Sequence, residues 1–129
     1  MTMWLWRWGP PIVQMALIFY ASSLTAVPSL PGGLTDYLGH FIGYAILATL
    51  LLRAFARMKW ESVTTRTGAF AWIASVAYSL TDETHQMFVP GRNASVADLV
   101  ADALGAACAV LVWLAVRWWL VSPAKNRAV

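Results

Sequence analysis

The stretch Gly68-Ala69-Phe70-Ala71-Trp72-Ile73-Ala74-Ser75-Val76-Ala77-Tyr78-Ser79-Leu80-Thr81-Asp82-Glu83-Thr84-His85-Gln86 decides the fold. Its first part, through Leu80, is apolar or small, and polar and charged residues then follow directly. Thirteen helical residues cover only about 20 Å, whereas the hydrocarbon core of a membrane is about 30 Å thick. The apolar part cannot cross alone. The sequence therefore predicts a span over about 68–86, with part of the acidic stretch below the membrane surface, inside the protein.

Three other apolar segments flank this one, at about 11–27, 38–55 and 96–121, each near the length a membrane helix needs. The turn-rich run Pro28-Ser29-Leu30-Pro31-Gly32-Gly33 separates the first two, and a charged connector from Arg53 to Arg66 separates the next two. Val89-Pro90-Gly91-Arg92 forms a turn, after which Ser95 and Asp98 have capping-box spacing for a final helix. Apolar residues make up 60% of the chain and charged ones only 12%, too little charge to cover a soluble fold of 129 residues. The predicted fold is all-α: one polytopic domain over 1–129, a bundle of four transmembrane helices.

Basic residues set the predicted orientation. Arg7, Arg53, Arg57, Lys59, Arg66, Arg117, Lys125 and Arg127 fall on one side of a four-span arrangement, and Arg92 alone falls on the other. That eight-to-one asymmetry places both termini in the cytoplasm and the protein in the bacterial cytoplasmic membrane. Trp4, Trp6, Trp8, Trp60, Trp118 and Trp119 map to the same boundary, where indoles anchor. The net charge of +3 thus marks a membrane side, and a nucleic-acid partner is excluded. Arg7, the apolar run and the small residues near Thr25 and Ala26 also permit a cleaved signal peptide. The length of that run and the polar Ser22, Ser23 and Thr25 favour a packed span instead. The single cysteine, Cys108, excludes an internal disulfide and reads as a small buried apolar residue.

The candidate site lies toward the outward side. Asp36, His40 and Tyr44 recur every fourth residue and form one stripe on the second helix, flanked by Gly39 and Gly43 at the spacing that permits close helix approach. His40 lies on the order of 10 Å below the outer boundary, where a polar side chain is costly unless it is used. On the fourth helix Asp98 and Asp102 are four apart, beside a seam of Ala101, Gly105 and Ala109. Asp98 suits the capping box; Asp102 is too deep to cap and must pair, accept hydrogen bonds or be protonated. The densest group, Asp82 to Arg92, offers Glu83 and His85 for proton transfer and Arg92 for an oxyanion. No zinc-protease helix, nucleophile elbow or phosphate-cradling glycine loop is present.

Three motifs carry a resemblance. Asp36-Tyr37-Leu38-Gly39-His40-Phe41-Ile42-Gly43-Tyr44, then Asp82-Glu83-Thr84-His85-Gln86-Met87-Phe88-Val89-Pro90-Gly91-Arg92, then Asp98-Leu99-Val100-Ala101-Asp102-Ala103-Leu104-Gly105 follow one another. In this order and at these depths the chain resembles the VanZ-like family of bacterial membrane proteins, over about residues 15–115. Tyr37 stands where that family often has lysine, and Asp102 where asparagine is usual. The resemblance implies a four-span membrane domain and a setting in glycopeptide, specifically teicoplanin, susceptibility; it implies no reaction.

Three functions stay open on the sequence. The first is a site that binds or remodels a membrane lipid headgroup or lipid-linked cell-wall precursor, with Arg92 holding phosphate and His85 and Gln86 orienting it. The second is a metal-assisted intramembrane hydrolase or transferase, in which Glu83, His85, His40 and Asp82 act catalytically and histidines and carboxylates hold a divalent metal. The third is an assembly or accessory protein whose polar residues lock helices together. Asp36, Tyr44, Asp98 and Asp102 complete the expected binding residues. Arg92 is expected to pair with a carboxylate, and His40, Glu83, His85, Arg92 and Asp102 to surround one cavity. The sequence fixes no oligomeric state.

Overall fold

A computed structural model describes residues 2–25 and 34–125, with side chains over 2–25 and 37–121. The expected connector at 28–33, the Asp36 side chain and the basic side chains of Lys125 and Arg127 lie outside the described residues. Among the described residues four helices account for the fold: α1 (Thr2–Ser22), α2 (Leu34–Phe55), α3 (Thr65–Gln86) and α4 (Val96–Lys125), with a 3₁₀ turn at Trp60–Ser62. No strand occurs among the described residues. The most extensive contact is between α2 and α4, with α3 against both and α1 against α2 and α3.

The first helix begins earlier than the apolar run, so that Pro10 and Pro11 lie inside it. Proline lacks the N–H that would bond four residues back, so Pro10 leaves the Trp6 carbonyl without its helical donor. Arg53 supplies one: its Nη1 donates to Trp6 O at 3.0 Å. Arg7 Nε donates in turn to Ala54 O at the end of α2 (2.7 Å), and Arg117 Nη1 to Trp60 O and Glu61 O, each at 3.1 Å. Basic side chains thus bind backbone carbonyls at one end of the bundle, where the Ala54 and Trp60 oxygens also accept the N–H groups of Arg57 and Val63.

The third helix is inverted relative to a soluble amphipathic helix. Its buried stripe runs Gly68, Ala71, Ser75, Ser79, Asp82, Glu83 and Gln86, while Phe70, Trp72, Ile73 and Leu80 are exposed. At 1.5 Å per residue its 22 residues span about 33 Å. The expectation that part of the acidic stretch lies inside the protein matches the burial of Asp82, Glu83 and Gln86, with Thr84 left exposed. The helix starts three residues before the apolar run, on a reciprocal capping box between Thr64 and Thr67. Elsewhere the surface is apolar as well, with Leu17, Ile42, Leu104 and Leu111 all about half exposed or more. Cys108 is exposed on α4 and not buried as its chemistry suggested.

Two small-residue seams behave differently. A Cβ on Gly105 would stand 2.1 Å from the carbonyl oxygen of Phe41, so α4 and α2 touch backbone to backbone there. By contrast a Cβ on Gly39 would meet nothing within 4 Å, and one on Gly43 would meet only Ile18 Cγ1 at 4.0 Å. The α4 seam packs helices, as expected. The α2 pair does not; it borders open space.

Among the described residues two helices are long and apolar enough to cross a membrane, Tyr37–Phe55 of α2 and Val96–Val121 of α4. In α3 the buried polar stripe lowers the mean hydropathy of a helix whose outer face is apolar.

Candidate functional site

The bundle sorts its polar groups by end. The helix ends opposite the arginine-bound carbonyls bring together Ser22 of α1 and Ser23 just after it, His40 of α2, Asp82 to Gln86 of α3, and Asp98 and Asp102 of α4. Two connected groups form there.

The first group surrounds a cavity of about 340 Å³ between α1, α2 and α3. Arg92 Nη2 donates to Gln86 Oε1 (3.1 Å), Gln86 Nε2 donates to Asp82 Oδ2 (3.3 Å), and Ser22 Oγ donates to Asp82 Oδ1 (2.7 Å). Asp82 and Gln86 are buried, whereas Arg92 is half-buried. His40 and Tyr44 line the same cavity, together with the apolar Leu17, Ile18 and Ala21 and the two α2 glycines. Where a direct pair between Arg92 and a carboxylate was expected, Gln86 stands between Arg92 and Asp82. A neutral amide can serve both neighbours, because it accepts on one atom and donates from the other.

The second group is packed more deeply. His40 Nδ1 meets Asp102 Oδ1 at 3.0 Å, and Ser79 Oγ donates to Asp102 Oδ2 at 2.5 Å. Asp102 is fully buried. A carboxylate only accepts, so the bond to Asp102 places a His40 proton on Nδ1, and Nε2 is the ring nitrogen left for another partner. Glu83 Oε2 accepts the backbone N–H of Ser95 at 2.8 Å, which is the donor a capping box would assign to Asp98. A carboxylate from α3 thus caps the start of α4, and the buried Asp98 joins His40 and Glu83: one donor atom from each of the three lies within 4.8 Å of the others.

The structure therefore divides what the sequence was expected to gather around one cavity. His40 and Arg92 line it, while Glu83 and Asp102 lie in the deeper group. His85 joins neither. Its Nε2 lies 2.9 Å from Ser23 Oγ and its ring stacks on Phe19 at 4.2 Å. The cause is helical geometry: side chains two residues apart diverge by about 160°, so Glu83 turned toward α4 sends His85 toward the rim of α1. Asp36 lies in the first turn of α2. Gln14, which donates to Gly43 O at 3.1 Å and lines the cavity, escaped the sequence reading. Its signal was a lone amide four residues before Ile18 and eight before Ser22, on one face of an otherwise apolar helix.

An all-helical chain with two membrane-length apolar helices and an inward-facing polar end is the class this fold and site define. The chain matches the VanZ/LLP1 family over residues 11–118 and belongs to that family. No curated protein and no solved structure matches it. Family membership and the two apolar helices point to a membrane protein.

Proposed function

We propose that the chain crosses the bacterial cytoplasmic membrane four times, with the arginine-rich end and both termini in the cytoplasm. The cavity then opens toward the outer leaflet and binds the phosphate-bearing headgroup of an envelope lipid or lipid-linked cell-wall precursor. One observation carries this reading: Arg92 and the Asp82–Gln86 pair share a cavity with the apolar wall of Leu17, Ile18 and Ala21. A guanidinium has five donors in a planar fork suited to phosphate, and one of them is held by Gln86. An apolar wall beside a single fixed cation suits a lipid, which presents an anion and a hydrocarbon chain together. The basic asymmetry of the sequence supports the orientation, and α1 and α3 serve as spans because their polar residues face other helices. Ligands of glycopeptides lie on that outward side, so teicoplanin susceptibility is a fitting cellular readout.

Reporter fusions within 56–64 and after 129 should report cytoplasm, and one within 29–34 the outside. Native mass spectrometry after gentle detergent extraction should find a phosphate-headed lipid on the wild type. Arg92→Ala should retain at least tenfold less, since a hydrogen bond to a charged group contributes about 1.5–3 kcal/mol. Gly39→Leu should also lose the lipid while folding normally, because its side chain enters open space. Equal lipid retention by all three proteins would refute the reading. A metal-assisted hydrolase or transferase acting on the same headgroup is a second reading, favoured by the deeper histidine–carboxylate group.

A further inference from the structure

We propose that His40, Glu83 and Asp98 form a binding site for one divalent transition-metal ion, with Asp102 as the residue that positions the histidine. The first support is the convergence itself. These side chains come from α2, α3 and α4, yet their donor atoms lie within 4.8 Å of one another. Ions such as Zn²⁺ bind nitrogen and oxygen at about 2.0–2.2 Å, which puts ligand atoms roughly 3.5 Å apart. A side-chain shift of about 1 Å would close the set around an ion.

The second support is Glu83. It is 8% exposed, its Oε2 is held by the Ser95 N–H, and its Oε1 has no hydrogen-bond partner among the described residues. A buried carboxylate oxygen without a donor costs free energy, and a cation beside it removes that cost. The positive end of α4 accounts for one carboxylate near its N-terminus. It does not account for two carboxylates and an imidazole turned toward one point.

The third support is the arrangement behind the histidine. Metal-binding imidazoles commonly donate the other ring N–H to a carboxylate, which fixes the tautomer and the ring plane. His40 has that arrangement in Asp102, itself held by Ser79. One nitrogen and two carboxylates suit borderline Zn²⁺, and also Mn²⁺, which is hard but takes imidazole beside carboxylates, better than Mg²⁺, which favours oxygen alone. Since His40 also lines the cavity, the ion would sit behind the cavity wall. The inference does not depend on the headgroup reading.

The test uses the untagged full chain, stripped with chelator and held in a phosphate-free detergent, so lipid binding cannot affect its outcome. Titration with Zn²⁺ and Mn²⁺ under equilibrium dialysis should give one ion per chain, with Mg²⁺ far weaker. Glu83→Gln and His40→Gln should abolish stoichiometric binding, and Asp102→Asn should weaken it by about 10- to 100-fold. Pulsed electron paramagnetic resonance of the Mn²⁺ protein should show coupling to a single imidazole nitrogen. That spectrum decides the matter even where a variant fails to fold. Absence of nitrogen coupling in the wild type, or its persistence in His40→Gln, would overturn the proposal.

Discussion

Gly105→Ala is expected to be the most damaging single methyl group that can be added to this protein. The new Cβ would lie 2.1 Å from Phe41 O and 2.8 Å from Phe41 C, both backbone atoms that no rotamer change can move. The helices must separate, and α2 against α4 is the most extensive contact of the bundle. Overpacking typically costs about 1–3 kcal/mol, and a clash with backbone belongs at the upper end, about 3 kcal/mol. The damage reaches the site, because Gly105 is one turn from Asp102 and Phe41 is next to His40. Thermal unfolding in detergent should show the loss, and His40-dependent properties should fall with it. Gly39→Ala and Gly43→Ala are the matched comparison: both should stay close to wild type, since the same methyl meets space or one ordinary contact. If all three substitutions cost the same, close backbone contact at Gly105 does not hold the bundle together.

The second large effect is expected from the buried pair. His40→Ala leaves the fully buried Asp102 with Ser79 and without its imidazole partner. Removing one member of a buried pair typically costs about 3–5 kcal/mol, mostly through the charge left behind. Asp102→Asn alone should be tolerated, because an amide oxygen still accepts from Nδ1–H. In the double variant, Asp102→Asn should recover at least half of the stability lost in His40→Ala, because no charge is then stranded. A strictly additive cycle, with the double variant worse than either single one, would show that the pair is not coupled.

Much of this was legible in the sequence. Four helices follow from four apolar segments, and the depth of Asp102 already required a partner. The inverted character of α3 followed from arithmetic: an apolar run of about 20 Å had to take Asp82 and Glu83 inside with it. What stayed hidden depends on rotation and on partners distant in the chain. The sequence cannot tell that Glu83, twelve residues away, takes the Ser95 N–H from the Asp98 of a local capping box. Nor does spacing distinguish Gly105, pressed against backbone, from Gly39, which borders a cavity; both occupy small-residue seams. His85 was grouped with Glu83 because they are neighbours in sequence, and helical rotation separates them. The apolar pattern places the first segment from about residue 11, yet α1 starts at Thr2 and runs through Pro10 and Pro11, with an arginine side chain 43 residues beyond Pro10 bonding the freed carbonyl.

The most direct test of the central claim, an outward intramembrane cavity that holds a lipid headgroup through Arg92, is photo-crosslinking in intact cells. A benzophenone amino acid at Leu17 sits on the cavity wall, and one at Ile12 sits on an exposed part of the same helix outside it. Mass spectrometry of the adducts should show phosphate-headed lipid enriched at position 17 over bulk membrane lipid, with the enrichment abolished by Arg92→Ala. Position 12 should mirror the bulk in both backgrounds. Adducts at 17 that match those at 12 and are unchanged by Arg92→Ala would contradict the account.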